Sequence, residues 1–412
     1  MADLKPLRTL RYEAATAGPL EDVIAPPYDV IDAELRARLA ARSPYNVVHV
    51  DLPPSYEQAA VTMADWRAQG VLAQEEELAV WVLRQDYRAP DGKGRTRTGF
   101  LARVRVDEYG PGRIRPHERT HPGPREDRLK LTRATRANLS PIFSLFPDPD
   151  GIAERAMAGI SKGEPTAQAG DDLLWRSSDP DLVAELQMAL ADAELLIADG
   201  HHRYETARVY AEEVGGEGEH RYVLMLLCSL SDPGLLVFPT HRLLTGLADD
   251  RAKQEAIRDV LTRDFEVEEL GAADELEPGP ETNGVALGYM DSFHKKPYRV
   301  TLKDQATADL ALEGMPEPYR RLDTAVLEAL VLRGALGMSE DDISHLRGLG
   351  YSKSLDDAID AVHTGRADAG FFMRAIPVEQ VREVAETGES MPPKSTYFYP
   401  KVPTGLVFNP LE

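Results

Sequence analysis

The chain has 412 residues and a formal net charge of −22 at pH 7, with a hydrophobic fraction of 42% and 28% charged residues. This length predicts two domains, and the composition is typical of a folded, soluble protein rather than a disordered or membrane-spanning one. The acidic balance argues against nucleic-acid binding, which depends on Lys and Arg, and a single cysteine with no signal-peptide pattern predicts a cytoplasmic protein without disulfides.

Short strands and helices alternate through the first 245 residues. The pattern predicts helices over 32–42, 56–69 and 181–190, and strands over 46–52, 77–87, 95–106 and 142–146. Residues 147–194 have the composition of an insertion. An apolar run over 195–198 then predicts a strand that stops at Asp199 and Gly200, and good helix formers follow from Tyr204.

A second alternation of helices and strands begins near residue 250. It opens with a predicted helix to about Arg263, and predicted strands follow near Phe265, Val285 and Tyr298. We therefore expect an α+β protein with one domain over 1–245, which carries the insertion at 147–194, and a second domain over 246–412.

The segment LIADGHHRYET, residues 196–206, gives the strongest indication of a functional site. A strand that passes through Asp-Gly into a helix directs backbone N–H groups and the positive end of the helix dipole at one point. His201, His202 and Arg203 stand at that same point, so the turn is predicted to bind an anion, with phosphate the best candidate. An ordinary strand-to-helix turn with solvated charges is the alternative.

Basic side chains are concentrated between residues 113 and 136, where eight Lys and Arg residues stand against three acidic ones. Arg125, Arg128 and Lys130 lie within six residues of one another, which suits a small anionic ligand better than a polymer. Glu118 would stay ionised beside these cations and could accept a proton from a hydroxyl within hydrogen-bond reach. A surface network of ion pairs is the alternative.

Two further segments could complete a pocket. Tyr28 and Asp29 follow two prolines that restrict the backbone, and they present a phenol and a carboxylate. Lys394 and Ser395 lie in a polar segment with several tyrosines near the C-terminus. The first pair could equally be a loop anchor. The second either contacts a ligand or docks the C-terminal domain onto the N-terminal one.

Seven motifs follow one another along the chain. They are APPYDVI (25–31), PYNVVHVDLP (44–53), HERT (117–120), REDRLKLTRATRANLSPIF (125–143), ADGHHRYETA (198–207), FPTHRLL (238–244) and MPPKSTYFYPKVPTGLV (391–407). This order resembles the domain-of-unknown-function family 1015, within the ParB/sulfiredoxin-like superfamily. The N-terminal half also resembles the ADP-dependent free serine kinases of that superfamily.

The resemblance implies a ParB/sulfiredoxin-like mixed-sheet core in the N-terminal half, with an added α+β C-terminal domain. It implies that Glu118 is the catalytic base and that Asp199 supports the reacting hydroxyl or a Mg²⁺ ion. The turn residues would hold the phosphates of a nucleotide and the transferring phosphoryl group, with a catalytic part for His202. These residues are Gly200, His201, His202 and Arg203.

The function implied is that of a phosphotransferase or phosphatase acting on a small hydroxylated metabolite, with serine or O-phosphoserine first. The reaction would be serine kinase-like, using ADP or ATP and Mg²⁺, or phosphoserine phosphatase-like, with Glu118 activating a water. The expected partners are therefore a small phosphate ester or a nucleotide, not nucleic acid or a membrane. Arg125, Arg128 and Lys130 would extend the phosphate clamp or bind the substrate's carboxylate. The candidates for substrate binding are Tyr28, Asp29, Asn138, Lys394 and Ser395.

Other classes of site fit less well. The sequence has no GxxxxGK[ST] loop, which excludes a P-loop mechanism. His117, His121, His201 and His202 could bind zinc, but adjacent histidines rarely share one ion. The alternative function is a CTP- or ATP-binding regulatory or DNA-associated ParB-like module without catalysis, and the net charge argues against its DNA-binding form.

Overall fold

The computed structural model describes residues 2–89, 92–118 and 122–412. It is a mixed α+β protein, as the sequence predicted, and the chain forms two compact units. Unit 1 comprises Met1–Pro116, Thr120–Leu236 and Pro400–Glu412, and unit 2 comprises His117–Arg119 and Val237–Tyr399.

The strands of the described residues are short, and most belong to two sheets. In chain order they are β1 (Leu4–Lys5), β2 (Leu10–Tyr12), β3 (Leu72–Gln74), β4 (Val80–Arg88), β5 (Gly94–Arg105), β6 (Ile114–Arg115), β7 (Ala137–Asn138), β8 (Ile142–Phe146), β9 (Ala167–Ala169), β10 (Asp172–Ser177), β11 (Leu195–Asp199), β12 (Tyr222–Ser229), β13 (Leu236–Phe238), β14 (His241–Leu244), β15 (Phe265–Glu269), β16 (Ala286–Asp291), β17 (Tyr298–Leu302), β18 (Leu349–Ser352), β19 (Ala369–Phe372), β20 (Tyr397–Tyr399) and β21 (Asn409–Pro410).

Helices separate these strands in both units. In chain order they are α1 (Ala14–Ala17), α2 (Leu20–Val23), α3 (Ala33–Arg42), α4 (Val48–Asp51), α5 (Tyr56–Ala68), α6 (Pro122–Thr135), α7 (Ile152–Ile160), α8 (Pro180–Leu190), α9 (His201–Val214), α10 (Arg251–Asp264), α11 (Gln305–Ala311), α12 (Glu317–Arg320), α13 (Asp323–Leu327), α14 (Glu340–Ser344), α15 (Leu355–His363) and α16 (Val378–Glu386). A π-helical segment, Glu328–Ala335, continues α13.

Unit 1 is built on a mixed sheet. Within the described residues its strand order is β6-β11-β8-β12-β5-β4-β10-β9, and β1 pairs with β5. The pairs β6/β11 and β8/β12 are parallel and the other pairs are antiparallel. Met157 of α7 and Leu186 of α8 share one apolar cluster with Phe100 and Met225 of the sheet. A separate cluster holds the apolar side chains of α3 to α6.

Residues 147–194, which we predicted to be an insertion with one helix, form two helices and two strands. Strand β10 pairs with β4 over six residues, from Asp172 opposite Gln85 to Ser177 opposite Val80, and β9 pairs with β10 at the edge of the sheet. Trp175 of β10 is buried in the core. This segment is therefore part of the central sheet of unit 1.

The strand predicted over 46–52 is wrong, because residues 48–51 form the helical turn α4. The side chain of Asn46 organises the turn, accepting from Val48 N at 3.1 Å and donating to Asp22 O at 2.8 Å. Asp51 is buried as well as Val48 and Val50, so the alternation of apolar and polar residues does not reflect a strand with one exposed face. The turn brings the buried Asp51 to the end of α4.

Unit 2 contains an antiparallel sheet in the order β15-β17-β16-β19-β14-β18. Its core includes Leu261 of α10, Val331 of the π-helical segment and Phe371 of β19. Strands β13 and β20 form a separate two-stranded pair.

The units divide the chain differently from the predicted domains 1–245 and 246–412. Unit 1 ends at Leu236 and recovers the last 13 residues, Pro400–Glu412. The C-terminal segment returns because Phe408 exchanges backbone hydrogen bonds with Leu10, at 2.8 and 3.1 Å, and buries its ring. Asn409 also pairs with Asn138, which joins β21 to β7.

Among the residues that the structure describes, no helix is both long enough and apolar enough to cross a bilayer. The single cysteine, Cys228, is buried in β12, and burial raises the pKa of its thiol. A thiol with a raised pKa is a poor nucleophile, so Cys228 is a residue of the core.

Candidate functional site

Strand β11 passes into helix α9 through a turn at Asp199 and Gly200, as the sequence predicted. The pairing of β11 with β8 shifts register between Ile197 and Asp199, and such a bulge re-aims the side chain at the strand end. Gly200 has φ +98°, a left-handed conformation that favours glycine. Helix α9 begins at His201, and its N-terminus has no side-chain cap. The positive end of its dipole therefore lies at this turn.

The turn depends on glycine at position 200, and Gly200→Ala tests this. A Cβ atom there would lie 3.1 Å from the guanidinium carbon of Arg203, and alanine would carry the strain of a positive φ. We expect the free energy of unfolding, measured by urea denaturation, to fall by about 1–2 kcal/mol. Gly94→Ala is the matched control, since its Cβ would meet nothing within 4 Å and its φ is not left-handed. Equal losses for the two variants would contradict the argument.

Asp199 lies between two cations within unit 1. Arg203 Nη2 donates to Asp199 Oδ2 at 2.5 Å, and Lys401 Nζ donates to Asp199 Oδ1. The side chains of all three are at most 15% exposed. Burial alone would raise the pKa of Asp199, but the charges of Lys401 and Arg203 outweigh it and hold that pKa well below its usual range. We call these residues the Asp199 triad.

Arg203 also connects the turn to the segment before β8. Its Nη1 donates to Ser140 Oγ at 2.6 Å and to the carbonyl oxygen of Pro141. The Nε atom of Arg203 is buried, and it has no hydrogen-bond partner among the described residues. The guanidinium is thus held by three partners, and its Nε N–H is not used by any of them.

A second buried ion pair joins α4 to α6. Arg128 Nη1 donates to Asp51 Oδ1 at 2.9 Å and to Asp51 O at 3.0 Å. Arg128 Nε and Nη2 donate to Asp127 Oδ2 at 2.8 and 2.6 Å. The Arg128 guanidinium also lies 4.3 Å from the centre of the Tyr28 ring, a cation–π contact. The Oδ2 atom of Asp51 is buried, and no described residue forms a hydrogen bond with it.

Tyr28, Asp51, Arg128, Ser140 and Arg203 line one cleft within unit 1, with about 500 Å³ of empty space, part of which is open solvent. Its polar lining consists of Tyr28, Asp51, Arg128, Thr132, Asn138, Ser140, Arg203 and Thr206. Burial raises the pKa of Tyr28 to about 12, so its hydroxyl stays protonated and can donate a hydrogen bond. Four of the seven sequence motifs therefore contribute side chains to this cleft, and a fifth contributes Lys401 to the Asp199 triad.

Of the predicted binding residues in unit 1, Tyr28, Arg128, Asn138 and Arg203 line the cleft. Asn138 also supports its wall, because its side-chain oxygen accepts hydrogen bonds from Leu224 N at 3.1 Å and Asn409 Nδ2 at 3.0 Å.

Other predicted residues of unit 1 do not line the cleft. Asp29 is exposed, and Lys130 is an exposed residue that pairs with Glu126 at 2.8 Å. Arg125 is half-buried, and its carbonyl oxygen accepts from Thr206 at 3.4 Å. His201 is buried in the first turn of α9, next to the half-buried His202. The charge of His201 contributes to the low pKa of Asp199.

Glu118 lies in unit 2, together with the segment that contains Lys394 and Ser395. A parallel bridge joins Glu118 to Met391, and Lys394 N donates to Glu118 Oε1 at 3.4 Å. Ser395 is buried, and its hydroxyl donates to Pro392 O at 2.6 Å. Because that hydroxyl is used inside the loop, the predicted contact of Ser395 with substrate does not agree with its position.

The Asp199 triad does not suit a divalent metal ion. Each carboxylate oxygen of Asp199 already accepts from a cation, and Mg²⁺ requires oxygen ligands that are not neutralised in this way. No group of three or more His, Cys, Asp or Glu side chains able to hold a metal occurs among the described residues. His121, one of the four histidines considered for zinc, lies outside those residues.

Sequence reasoning did not assign roles to Asp51, Ser140 and Lys401. Each lies inside a motif noted in the sequence, at 44–53, 125–143 and 391–407. Asp51 was missed because its segment was interpreted as a strand. Lys401 was missed because its partner, Asp199, is 202 positions away.

Residues 4–325 match the sequence profile of the family described as "Protein of unknown function (DUF1015)". Comparison with curated proteins gives no match.

Solved structures with a related fold include a conserved hypothetical protein from Pyrococcus furiosus, with a TM-score of 0.36 and 18% identity over 71% of this chain and 89% of that one. A free serine kinase in complex with AMP gives a TM-score of 0.38 and 17% identity, over 73% and 88%. A variant of a free serine kinase in complex with ADP gives 0.39 and 16%, again over 73% and 88%. Because these similarities are low, we base the functional assignment on the residues of this chain.

Proposed function

Because the chain belongs to the DUF1015 family, whose description names no reaction, we propose from its own residues and from the resemblance of its motifs that it transfers a phosphoryl group to or from a small hydroxylated metabolite. Serine or O-phosphoserine is the first candidate, with ADP or ATP as the nucleotide. The observation that carries the proposal is the cleft in unit 1, which is lined by the buried Arg128 and by Arg203, whose side chain is 12% exposed, in a chain of net charge −22.

Buried, fixed cations are suited to this chemistry. Phosphoryl transfer develops charge on the oxygens of the transferring group, and donors that are already in place stabilise that charge without reorganising. Ser140 and Asp199 hold the guanidinium of Arg203 from two sides, at 2.6 and 2.5 Å. Arg203 lies in the first turn of α9, which begins at His201, and backbone N–H groups at such a terminus suit phosphate.

Each residue then has a part in the proposal. Arg203, with the backbone at Gly200 and His201, would hold the phosphoryl group, and His202 would assist. Lys401 would keep Asp199 ionised and Arg203 in place. Glu118 would be the general base, an assignment that comes from the sequence resemblance. Mg²⁺, if the nucleotide carries it, would neutralise phosphate oxygens, but Asp199 in its triad would not be its ligand.

A turnover assay tests the proposal. The purified full-length chain would be incubated with serine and ADP or ATP, and with O-phosphoserine with and without ADP, in the presence of Mg²⁺. Phosphorus NMR would follow every phosphorylated species. We expect transfer or hydrolysis in at least one mixture, and the absence of turnover in all of them would contradict the proposal.

The base is tested by Glu118→Gln, which removes the charge and keeps the shape. If Glu118 accepts the proton, kcat should fall by about 10²- to 10⁴-fold while nucleotide affinity, measured by calorimetry, stays unchanged. Glu255→Gln is the control, since Glu255 forms an exposed ion pair with Arg251 at 3.0 Å, and its kcat should match that of the native protein. An unchanged kcat for the Glu118 variant would remove Glu118 from the mechanism.

A further inference from the structure

The cleft in unit 1 presents one unused buried acceptor. Asp51 is 3% exposed, and while its Oδ1 accepts from Arg128 at 2.9 Å, its Oδ2 has no hydrogen-bond partner among the described residues. A buried carboxylate oxygen without a donor carries a large desolvation cost, so its retention needs an explanation. Burial also raises the pKa of Asp51, although the charges of Arg128 and Arg203 act in the opposite direction.

The same cleft presents an unused donor. Arg203 Nε is buried and has no hydrogen-bond partner among the described residues, although the other two nitrogens of its guanidinium are engaged. A ligand that satisfies both groups must therefore carry an acceptor for Arg203 and a donor for Asp51.

The charges around the cleft point the same way. Three cations, Arg128, Arg203 and Lys401, stand against three carboxylates, Asp51, Asp127 and Asp199. The positive and negative charges are equal in number. A cleft suited only to a polyanion would not be expected to have, in its lining, a carboxylate with one oxygen that accepts no hydrogen bond from a described residue. Among the described residues, Asp51 is the only carboxylate that lines the cleft, which also makes a divalent cation a poor occupant.

We propose that the cleft recognises a zwitterionic molecule, an α-amino acid or its phosphate ester, and that Asp51 Oδ2 accepts a hydrogen bond from the ligand's ammonium group. The anionic end of the molecule would face Arg203. Asp51 is then the residue that distinguishes amino acids from hydroxy acids of the same shape. This inference rests on the proposed function for its substrate class, but it concerns recognition and not the transfer step.

Calorimetry tests it with two probes that differ only at one group. O-phosphoserine carries the ammonium, and the 2-hydroxy analogue of the same configuration, a phosphoglycerate, replaces it with a hydroxyl. We expect the native protein to bind O-phosphoserine at least about tenfold more tightly, because a buried charged hydrogen bond is lost with the analogue. Asp51→Asn should remove most of this preference while leaving the affinity for the analogue within about threefold.

Asp127→Asn is the matched control. Asp127 pairs with the same Arg128, but its carboxylate is not part of the cleft lining, so the preference should survive in this variant. Thermal melts would show that both variants are folded, and Asp51→Glu gives a second variant if Asp51→Asn is not.

Equal affinity of the native protein for the two probes, no binding of either, or an unchanged preference in Asp51→Asn would overturn the inference. If the protein transfers phosphoryl groups to metabolites without an amine as readily as to amino acids, the inference is wrong. The proposed function would still hold in that case. Selective binding of O-phosphoserine without any turnover would support it and count against the proposed function.

Discussion

Asp199→Asn should lower the free energy of unfolding by about 3 kcal/mol at pH 7. The substitution leaves Arg203 and Lys401 buried without a carboxylate, and breaking a buried ion pair by removing one partner typically costs 3–5 kcal/mol. We expect a loss near the lower end of that range, because the asparagine side chain keeps one hydrogen-bond acceptor. Chemical denaturation measures the loss directly.

The control for this variant is Glu34→Gln. Glu34 forms an exposed ion pair with Arg38 at 2.8 Å, so its removal should change the free energy of unfolding by less than about 0.5 kcal/mol. Similar losses in the free energy of unfolding for the two substitutions would mean that Asp199 stabilises the protein no more than an exposed carboxylate does.

The same variant makes a prediction about pH. The folded-state pKa of Asp199 lies below its unfolded value near 3.8, so the stabilisation is complete above that value. It is lost as the pH falls towards and through the folded pKa, because the unfolded chain then binds the proton more readily. The stability difference between the native protein and Asp199→Asn should therefore be largest at neutral pH and shrink below about pH 4.

The second large effect is expected for Arg203→Lys. Lysine keeps the positive charge, but it cannot reach Ser140, Pro141 and Asp199 together or present the planar donor set of a guanidinium. We expect kcat/KM for the phosphorylated substrate to fall by about 10²- to 10³-fold, as for the loss of a preorganised donor to the reacting group. Steady-state kinetics on the mixture that shows turnover would measure it.

Arg208→Lys is the matched control for that variant. Arg208 lies on the same helix and pairs with Glu205 at 3.3 Å, outside the cleft lining. Its kcat/KM should stay within about threefold of the native value, because a partly exposed ion pair contributes little. Comparable losses in both variants would mean that α9 matters only for stability.

Local patterns were sufficient to predict the elements that build the turn. The apolar run before Asp199 predicted β11, Asp199 and Gly200 marked its end, and the helix after them was recognised from its composition. The α+β class followed from the mixture of such elements. The predictions that worked therefore rest on residues that lie next to one another in the chain.

Contacts between distant segments could not be predicted in the same way. Lys401 reaches Asp199 from the last 12 residues, and Asp51 meets Arg128 across 77 positions. The sequence around Lys401 does not specify Asp199 as its partner, and the sequence around Asp51 does not specify Arg128. Such short sequences occur in many structural contexts. The strand predicted over 46–52 was wrong for a related reason. Side chains on more than one side of the short helix α4 are buried, so its sequence does not show the separate apolar and polar faces that would indicate a helix.

Hydrogen exchange on the full chain, with and without saturating O-phosphoserine and ADP, tests most directly whether the cleft of unit 1 is the ligand site. We predict slower exchange over residues 199–207 and 125–141, which contain the turn, Arg128 and Ser140. Exchange over residues 340–363 of unit 2 should be unchanged. Slower exchange confined to unit 2, or binding that leaves residues 199–207 unprotected, would contradict it.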